Sequence, residues 1–198
     1  MKWRSECYSR FGAISEIPLT SYETELAECL QGKSRLLDVG AGAHKPIKAF
    51  VERAGVTYFC LDTDPDGVFD YRSFDEIPES QTFDVVVANQ VIEHMGVDEA
   101  FDYVYNIFLK LVPGGLFFAT VPNAAHPVRQ RDCTHITPWP SNDLYSLLRS
   151  AGFEILRLRR YNKYPLTDDP FKRWLVETIC QEFRIDWCDS ILITGQKG

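Results

Sequence analysis

Arg35-Leu36-Leu37-Asp38-Val39-Gly40-Ala41-Gly42 decides how the chain is read. An apolar run this short, closed by two glycines, predicts a buried strand entering a tight turn. Pro46 follows, and proline suits the first turn of a helix, so a helix is predicted over Ile47 to Arg53 with Gly55 as its stop. Val56 to Leu61 is β-branched and aromatic, which predicts a second strand, and it closes on Asp62. In such a unit, ligands bind beyond the carboxyl ends of the strands. Glycine has no Cβ, so a ligand can approach the backbone at Gly40 and Gly42. Asp62 stands where a carboxylate can take both hydroxyls of a ribose.

The alternation extends outward in both directions. Upstream, Tyr22 to Leu30 carries Leu26, Cys29 and Leu30 at helical spacing, and Gly32 ends it. Downstream, a strand is predicted over Phe83 to Ala88 and a helix over Asp98 to Leu111, with Phe101, Val104, Phe108 and Leu111 along one stripe. Pro113-Gly114-Gly115 turns the chain into a strand over Leu116 to Val121. Ser141 is the expected N-cap of a helix over Asp143 to Ser150, with Gly152 as its stop. A strand over Phe153 to Leu158, an aromatic-rich helix over Phe171 to Phe183 and a last strand over Ser190 to Thr194 complete the pattern. Near-continuous apolar strands alternating with helices predict a doubly wound α/β sheet, mostly parallel and covered on both faces. One connection is short. Only Thr63 to Gly67 separate Asp62 from Val68-Phe69, whereas a parallel crossover takes about a dozen residues. Either a crossover helix is missing there or the third strand is vestigial.

Length and composition set the class. The 198 residues suit a single domain over 1–198, read as an N-terminal helical segment over 1–32 and a core over 33–198. Apolar residues at 45% and charged residues at 25% exclude a disordered chain and a collagen-like repeat. A net charge of -7 steers away from nucleic acid and anionic lipid. No apolar run approaches the ~20 residues that cross a bilayer. The N-terminal Met1 to Cys7 holds no apolar stretch, so neither a signal peptide nor a membrane is expected. The six cysteines have no CxxC spacing, which fits reduced thiols and a cytoplasmic location.

Two cofactor classes share this layout. A dinucleotide fingerprint wants a third small residue after Gly40 and Gly42, where this chain has Lys45. The wider pattern separates the two. Leu36 to Gly42 resembles the first motif of class I S-adenosylmethionine-dependent methyltransferases. Phe83 to Asn89 followed by Val91-Ile92-Glu93-His94 is similar to their fourth-strand motif, and Leu111 to Leu116 running into Val121-Pro122-Asn123 to their fifth. Leu144 to Phe153 resembles the helix before their sixth strand. The resemblance implies a Rossmann-like seven-stranded sheet with an antiparallel last strand, and S-adenosylmethionine as cofactor. It implies that Asp38, Gly40 and Gly42 surround the amino acid part of the cofactor, that Asp62 and Thr63 lie at the ribose, Asp70 and Tyr71 at the adenine, and Asn89 and Gln90 along the methionine moiety.

Methyl transfer mainly requires alignment of nucleophile, methyl and sulfur, and a hydroxyl nucleophile gains from a base. His135 and His94 fall on the expected active-site side, and an imidazole titrates near working pH, so these two are the expected catalytic residues. Arg129 and Arg131, in the same loop as His135, are the expected substrate-binding residues, since guanidinium forks favour carboxylate or phosphate. The spacing of His126, Asp132, Cys133 and His135 matches no common zinc signature, so no metal is expected. Tyr8 and Phe11 read equally as a lid over the cofactor or as core.

The expected activity is transfer of a methyl group from S-adenosylmethionine to a small polar acceptor, a hydroxyl of a sugar or natural-product-like metabolite, by a monomer or homodimer. The alternative is a non-catalytic relative of the fold that binds cofactor or a protein partner. Asn89-Gln90-Val91-Ile92 stands where amino-methylating enzymes of this superfamily carry Asn or Asp followed by Pro-Pro and an aromatic, which argues against nucleic acid as acceptor.

Overall fold

A computed structural model describes residues 2–127, 132–162 and 167–198. Its strands are β1 (Arg35–Val39), β2 (Thr57–Leu61), β3 (Phe83–Asn89), β4 (Leu111–Pro122), β5 (Glu154–Tyr161) and β6 (Ser190–Gln196). Its helices are α1 (Lys2–Phe11), α2 (Tyr22–Leu30), α3 (Lys48–Arg53), α4 (Val97–Lys110), α5 (Ser141–Ser150) and α6 (Pro170–Phe183). The strands form one sheet in the order β2-β1-β3-β4-β6-β5. The pairs from β2 to β4 are parallel, and β6 runs antiparallel to both of its neighbours, so the antiparallel strand is the last in the chain, as expected.

Six strands form among the described residues where seven were expected. The third is reduced to a single bridge between Leu61 and Tyr71. The five residues from Thr63 to Gly67 are too few for a crossover, so the chain folds straight back along the edge of β2. Asp70 and Tyr71 both donate their amides to the Cys60 carbonyl, and the Asp62 amide donates to the Tyr71 carbonyl. Arg72 closes this loop by donating to the carbonyls of Asp64 and Gly67.

Side chains alternate across the sheet with the strand period of two. Leu36, Val85, Val87 and Phe118 pack beneath α2 and α3 with Leu26, Cys29 and Val51. Leu37, Val86, Ala88 and Phe117 pack on the other side with Val104 and Ile107 of α4 and Leu144 and Leu148 of α5. Phe153 seals that side, its ring centroid 5.1 Å from Phe108 and 5.4 Å from Phe117.

Two local expectations change. Ser141 is the first residue of α5 rather than its cap, because Pro140, extended at ψ 149, takes the cap position. β4 begins at Leu111, so the Pro113-Gly114-Gly115 turn is an irregularity inside the strand, where the β3–β4 register shifts. The N-terminal segment, expected to be helical, holds α1, which buries Cys7 and packs Trp3 and Phe11 on the core while polar contacts tie it to α5. Tyr145 donates its hydroxyl to Glu6 at 2.7 Å, Arg4 pairs with Asp143, and the Arg149 guanidinium lies 4.4 Å over Trp3. Phe11 packs edge-on against Tyr145 and Tyr8 is exposed. Among the described residues no helix is long and apolar enough to cross a membrane.

Candidate active site

The carboxyl ends of β1 to β4 lie side by side, and the residues that follow them build the site. After β1 the chain turns through Gly40 at φ 75 and Gly42 at φ 62, a left-handed conformation that glycine adopts without steric cost. The two glycines serve different ends. The Gly40 amide donates to the Leu61 carbonyl at 2.8 Å, and a Cβ there would lie 2.4 Å from Val91 Cγ2. At Gly42 a Cβ would meet nothing within 4 Å, so this face of the turn is open. Gly40 is required by close packing and Gly42 leaves room for a ligand.

Asp62 is tied into the same turn. Its Oδ2 accepts the Gly42 amide at 2.7 Å and its Oδ1 accepts the Asp64 amide at 2.9 Å, which fixes a half-buried carboxylate at the lip of the open face. Thr63 is exposed beside it. Asp38, only 3% exposed, accepts the Tyr58 hydroxyl at 2.6 Å on Oδ2. Burial pushes its carboxyl up to about 6; the Tyr58 hydrogen bond opposes that rise and the negative charge of Asp62 adds to it. Asp70 and Tyr71 follow the bridge. Asp70 Oδ2 accepts the Cys60 amide at 2.9 Å, which holds this segment next to Asp62.

Lys45 does not serve as a free cation. Its ammonium donates to the Val68 carbonyl and lies 5.2 Å over the Phe69 ring. Two carboxylates and an open glycine face, with the nearby lysine engaged elsewhere, suit a ribose-bearing ligand that carries positive charge better than one that carries a diphosphate.

β3 ends in Asn89, whose Oδ1 accepts the Thr120 hydroxyl at 2.5 Å. Gln90, left-handed at φ 57, donates Nε2 to the same Thr120 oxygen at 3.2 Å. Both are thereby fixed to the neighbouring strand. The next turn, a 3₁₀ turn over Ile92–His94, is zipped to the loop between β4 and α5. The Ile136 and Thr137 amides donate to the Glu93 carbonyl, the Thr137 hydroxyl to the Met95 carbonyl, and the Trp139 indole to the Ile92 carbonyl.

That zipper brings His135 to His94. Their rings meet edge-on with centroids 4.9 Å apart. His94 Nδ1 lies 3.1 Å from the Thr134 carbonyl and 3.0 Å from the Thr134 hydroxyl oxygen. The Thr134 hydroxyl gives its own proton to Asp132 Oδ1 at 2.6 Å, so both neighbours accept from Nδ1, and Nε2 keeps its lone pair. The two hydrogen bonds from Thr134 hold the Asp132 carboxyl below the usual carboxylate range.

Glu93 joins this pair, a residue that its place in the sequence does not mark out as functional. It is 2% exposed, and neither carboxylate oxygen has a hydrogen-bond partner beyond its own residue. Burial, with the charge of Asp132, pushes it up to about 7 against a backbone hydrogen bond within its own residue. The available signal was a lone acid inside the apolar turn Val91-Ile92-Glu93. Glu93 and His135 line a cavity of about 80 Å³ with Pro122, Ala124 and Trp139. Asn123 lies behind it, donating Nδ2 to Asp186 Oδ2 and the Cys188 carbonyl, each at 2.8 Å. On the far side of Asp186 a cleft of about 970 Å³ opens, bordered by Arg160, Asn162 and Trp187. Arg129 and Arg131 lie outside the described residues.

A family model described as a methyltransferase domain matches residues 17–158. No curated protein matches. Among solved structures, a SAM-dependent methyltransferase from Archaeoglobus fulgidus is 17% identical, with 98% of this chain and 94% of that one covered at a TM-score of 0.69. The 1,6-didemethyltoxoflavin-N1-methyltransferase of Burkholderia thailandensis, solved with 1,6-didemethyltoxoflavin and S-adenosylhomocysteine, is 18% identical, with 88% and 76% covered at 0.59. A S-adenosylmethionine-dependent methyltransferase from Mesorhizobium loti is 14% identical, with 89% and 98% covered, also at 0.59. Because the family match takes in every residue from the first strand through the paired histidines, the chain belongs to the methyltransferase-domain family of enzymes that use S-adenosylmethionine.

Proposed function

We propose that the chain methylates a hydroxyl of a small polar acceptor, a sugar or natural-product-like metabolite. The observation that carries this reading is the His94–His135 pair, 4.9 Å apart between ring centroids and placed past Asn89 and Gln90 beside the small cavity. When bound, S-adenosylmethionine supplies the methyl group as an electrophile on sulfur. On this reading Asp62 and Thr63 hold the ribose hydroxyls, and Asp38, Gly40 and Gly42 surround the amino acid end. Asp70 and Tyr71 border the adenine, and Asn89 and Gln90 flank the methionine chain. Alignment within such a site can lower a barrier by roughly 7–11 kcal/mol. The histidine pair orients the acceptor oxygen and eases the loss of its proton, which in other enzymes is worth about 10²–10⁴ in rate.

Methyl groups labelled on S-adenosylmethionine and offered with a panel of polyhydroxylated metabolites, amines and thiols test this reading. Label is expected on oxygen. Label only on nitrogen or sulfur overturns the hydroxyl assignment, and failure to bind S-adenosylmethionine in calorimetry overturns the site.

A pH dependence follows from Asp38. Its folded pKa of about 6 lies above its ordinary value of 3.8, so the folded chain favours the protonated acid. Stability of the ligand-free chain contributed by this group therefore falls as pH rises from about 4 to 6. A cationic ligand end favours the carboxylate, so the sign for binding is opposite. S-adenosylmethionine affinity is expected to rise with pH up to about 6 and then level, with about a tenfold loss per pH unit below that. Calorimetry from pH 5 to 8 reads the profile. Asp38→Asn should flatten it, and Tyr58→Phe should move its midpoint upward by removing the hydrogen bond that favours the carboxylate.

A further inference from the structure

Glu93, His94 and His135 each offer one ligand atom, and these atoms all lie within 4.8 Å of one another. We propose that the three hold a divalent first-row transition-metal cation, with its open positions toward the small cavity. The donor set is two imidazoles and one carboxylate, a combination that binds such ions while leaving sites for water or substrate. A cation stands about 2.1 Å from each ligand atom, so ligands of one ion are at most about 4.2 Å apart. A side-chain adjustment of about half an ångström brings the present arrangement within that limit.

Two further features point to a cation here. Glu93 is 2% exposed and neither carboxylate oxygen has a donor from another residue, while Glu93 lines the cavity with His135. Buried carboxylates are ordinarily paired, hydrogen-bonded or bound to metal, and no other described residue pairs with Glu93 or donates to its carboxylate. His94 is also prepared as a ligand. Its Nδ1 proton is held by the Thr134 carbonyl and hydroxyl oxygen, which leaves the Nε2 lone pair free and fixes the ring. Metal-bound histidines characteristically donate their second nitrogen to such a carbonyl or carboxylate. Asp132 extends this support through Thr134 and lies 3.8 Å from His135 Nε2.

The inference rests on the hydroxyl-acceptor reading for its purpose and on the three side chains for the site. A cation there explains how the histidine pair acts on an alcohol. As a Lewis acid it would fix the acceptor oxygen and lower the pKa of its hydroxyl. The oxygen then uses a lone pair to form the new C–O bond, the C–S pair stays on sulfur, and the hydroxyl proton passes to solvent water.

Chelator-treated full-length protein titrated with Co²⁺, followed by its visible absorption, and with Mn²⁺, followed by electron paramagnetic resonance, tests the site without any turnover. One equivalent is expected to bind. Glu93→Gln and His135→Ala should each weaken binding by at least ~10–100-fold, the cost of losing even an outer-shell partner. His126→Ala should leave it unchanged. Thermal melts and S-adenosylmethionine calorimetry on each variant separate loss of metal from loss of fold. Absence of binding by protein that still binds S-adenosylmethionine overturns the cation, as does binding unaffected by both substitutions. Oxygen methylation that persists in full after chelation also overturns it while leaving the acceptor reading intact. Stoichiometric metal binding with label found only on nitrogen or sulfur supports the site and removes only the hydroxyl assignment.

Discussion

Asp62→Ala is expected to weaken S-adenosylmethionine and S-adenosylhomocysteine binding by about 100-fold. The carboxylate is placed before any ligand arrives, with Oδ2 on the Gly42 amide and Oδ1 on the Asp64 amide. Each oxygen has a second lone-pair direction left for a ribose hydroxyl. Hydrogen bonds to a charged group contribute about 1.5–3 kcal/mol each, so losing two costs about 3 kcal/mol or more, a factor of at least ~100 in affinity. The substitution also frees the Gly42 and Asp64 amides, which loosens the open face of the glycine turn. Asp62→Asn keeps one oxygen and should lose about tenfold, because the amide can still accept from Gly42 but can serve only one hydroxyl in the same way. Calorimetry on both variants checks the order wild type, Asn, Ala. Equal affinities in wild type and Ala would show that ribose recognition lies elsewhere. Circular dichroism distinguishes this from unfolding, since a half-buried group at the lip of the site contributes little to the core.

The chain's own residues explain why much of the fold could be read in advance and why part of it could not. Strands β1, β3 and β4 are buried on both faces, so their sequences are nearly all apolar and stand out from any neighbour. The glycines at 40 and 42 and the acid at 62 are legible because turn geometry and charge restrict those positions to few residue types. α1 is different. Its contacts through Arg4 and Glu6 with α5 are polar and lie about 139 residues apart in sequence, so no local period reveals them. The missing third strand could be suspected from the five-residue connection, but the way Asp70 and Tyr71 return to the Cys60 carbonyl is a tertiary fact. Glu93 is the sharpest case. Its neighbour His94 was picked out as an imidazole, while the acid beside it gains its meaning only when the Ile136 and Thr137 amides close on the Glu93 carbonyl and bring His135 across a gap of about 40 residues. Ligand spacing within one loop cannot register a cluster assembled from two.

The second large effect is expected at Gly40. Gly40→Ala should destabilise the chain by about 3 kcal/mol and lower S-adenosylmethionine affinity as well. Two terms add. The residue sits at φ 75, and a left-handed conformation costs a residue with a Cβ roughly 1–2 kcal/mol. The new Cβ would also stand 2.4 Å from Val91 Cγ2, well inside contact distance, and overpacking of this kind costs about 1–3 kcal/mol. For a chain of this length, about 3 kcal/mol corresponds to a fall in Tm of roughly 6–12 °C. The clash has a direction. Val91 stands between the Asn89–Gln90 pair and the Glu93–His94 turn, so its displacement disturbs the acceptor side from the cofactor side. Val91→Ala should remove the steric term and leave the backbone term. Measured in the Val91→Ala background, the loss caused by Gly40→Ala is therefore expected to shrink to about 1–2 kcal/mol, with the difference from its loss in the wild type giving the coupling between the two positions. Thermal or urea unfolding of the four proteins in this cycle provides the test. Additive losses would mean that Val91 yields freely and that Gly40 is required by backbone conformation alone; a large coupling would mean that the glycine is there so that the turn carrying Glu93 and His94 can close against the glycine turn.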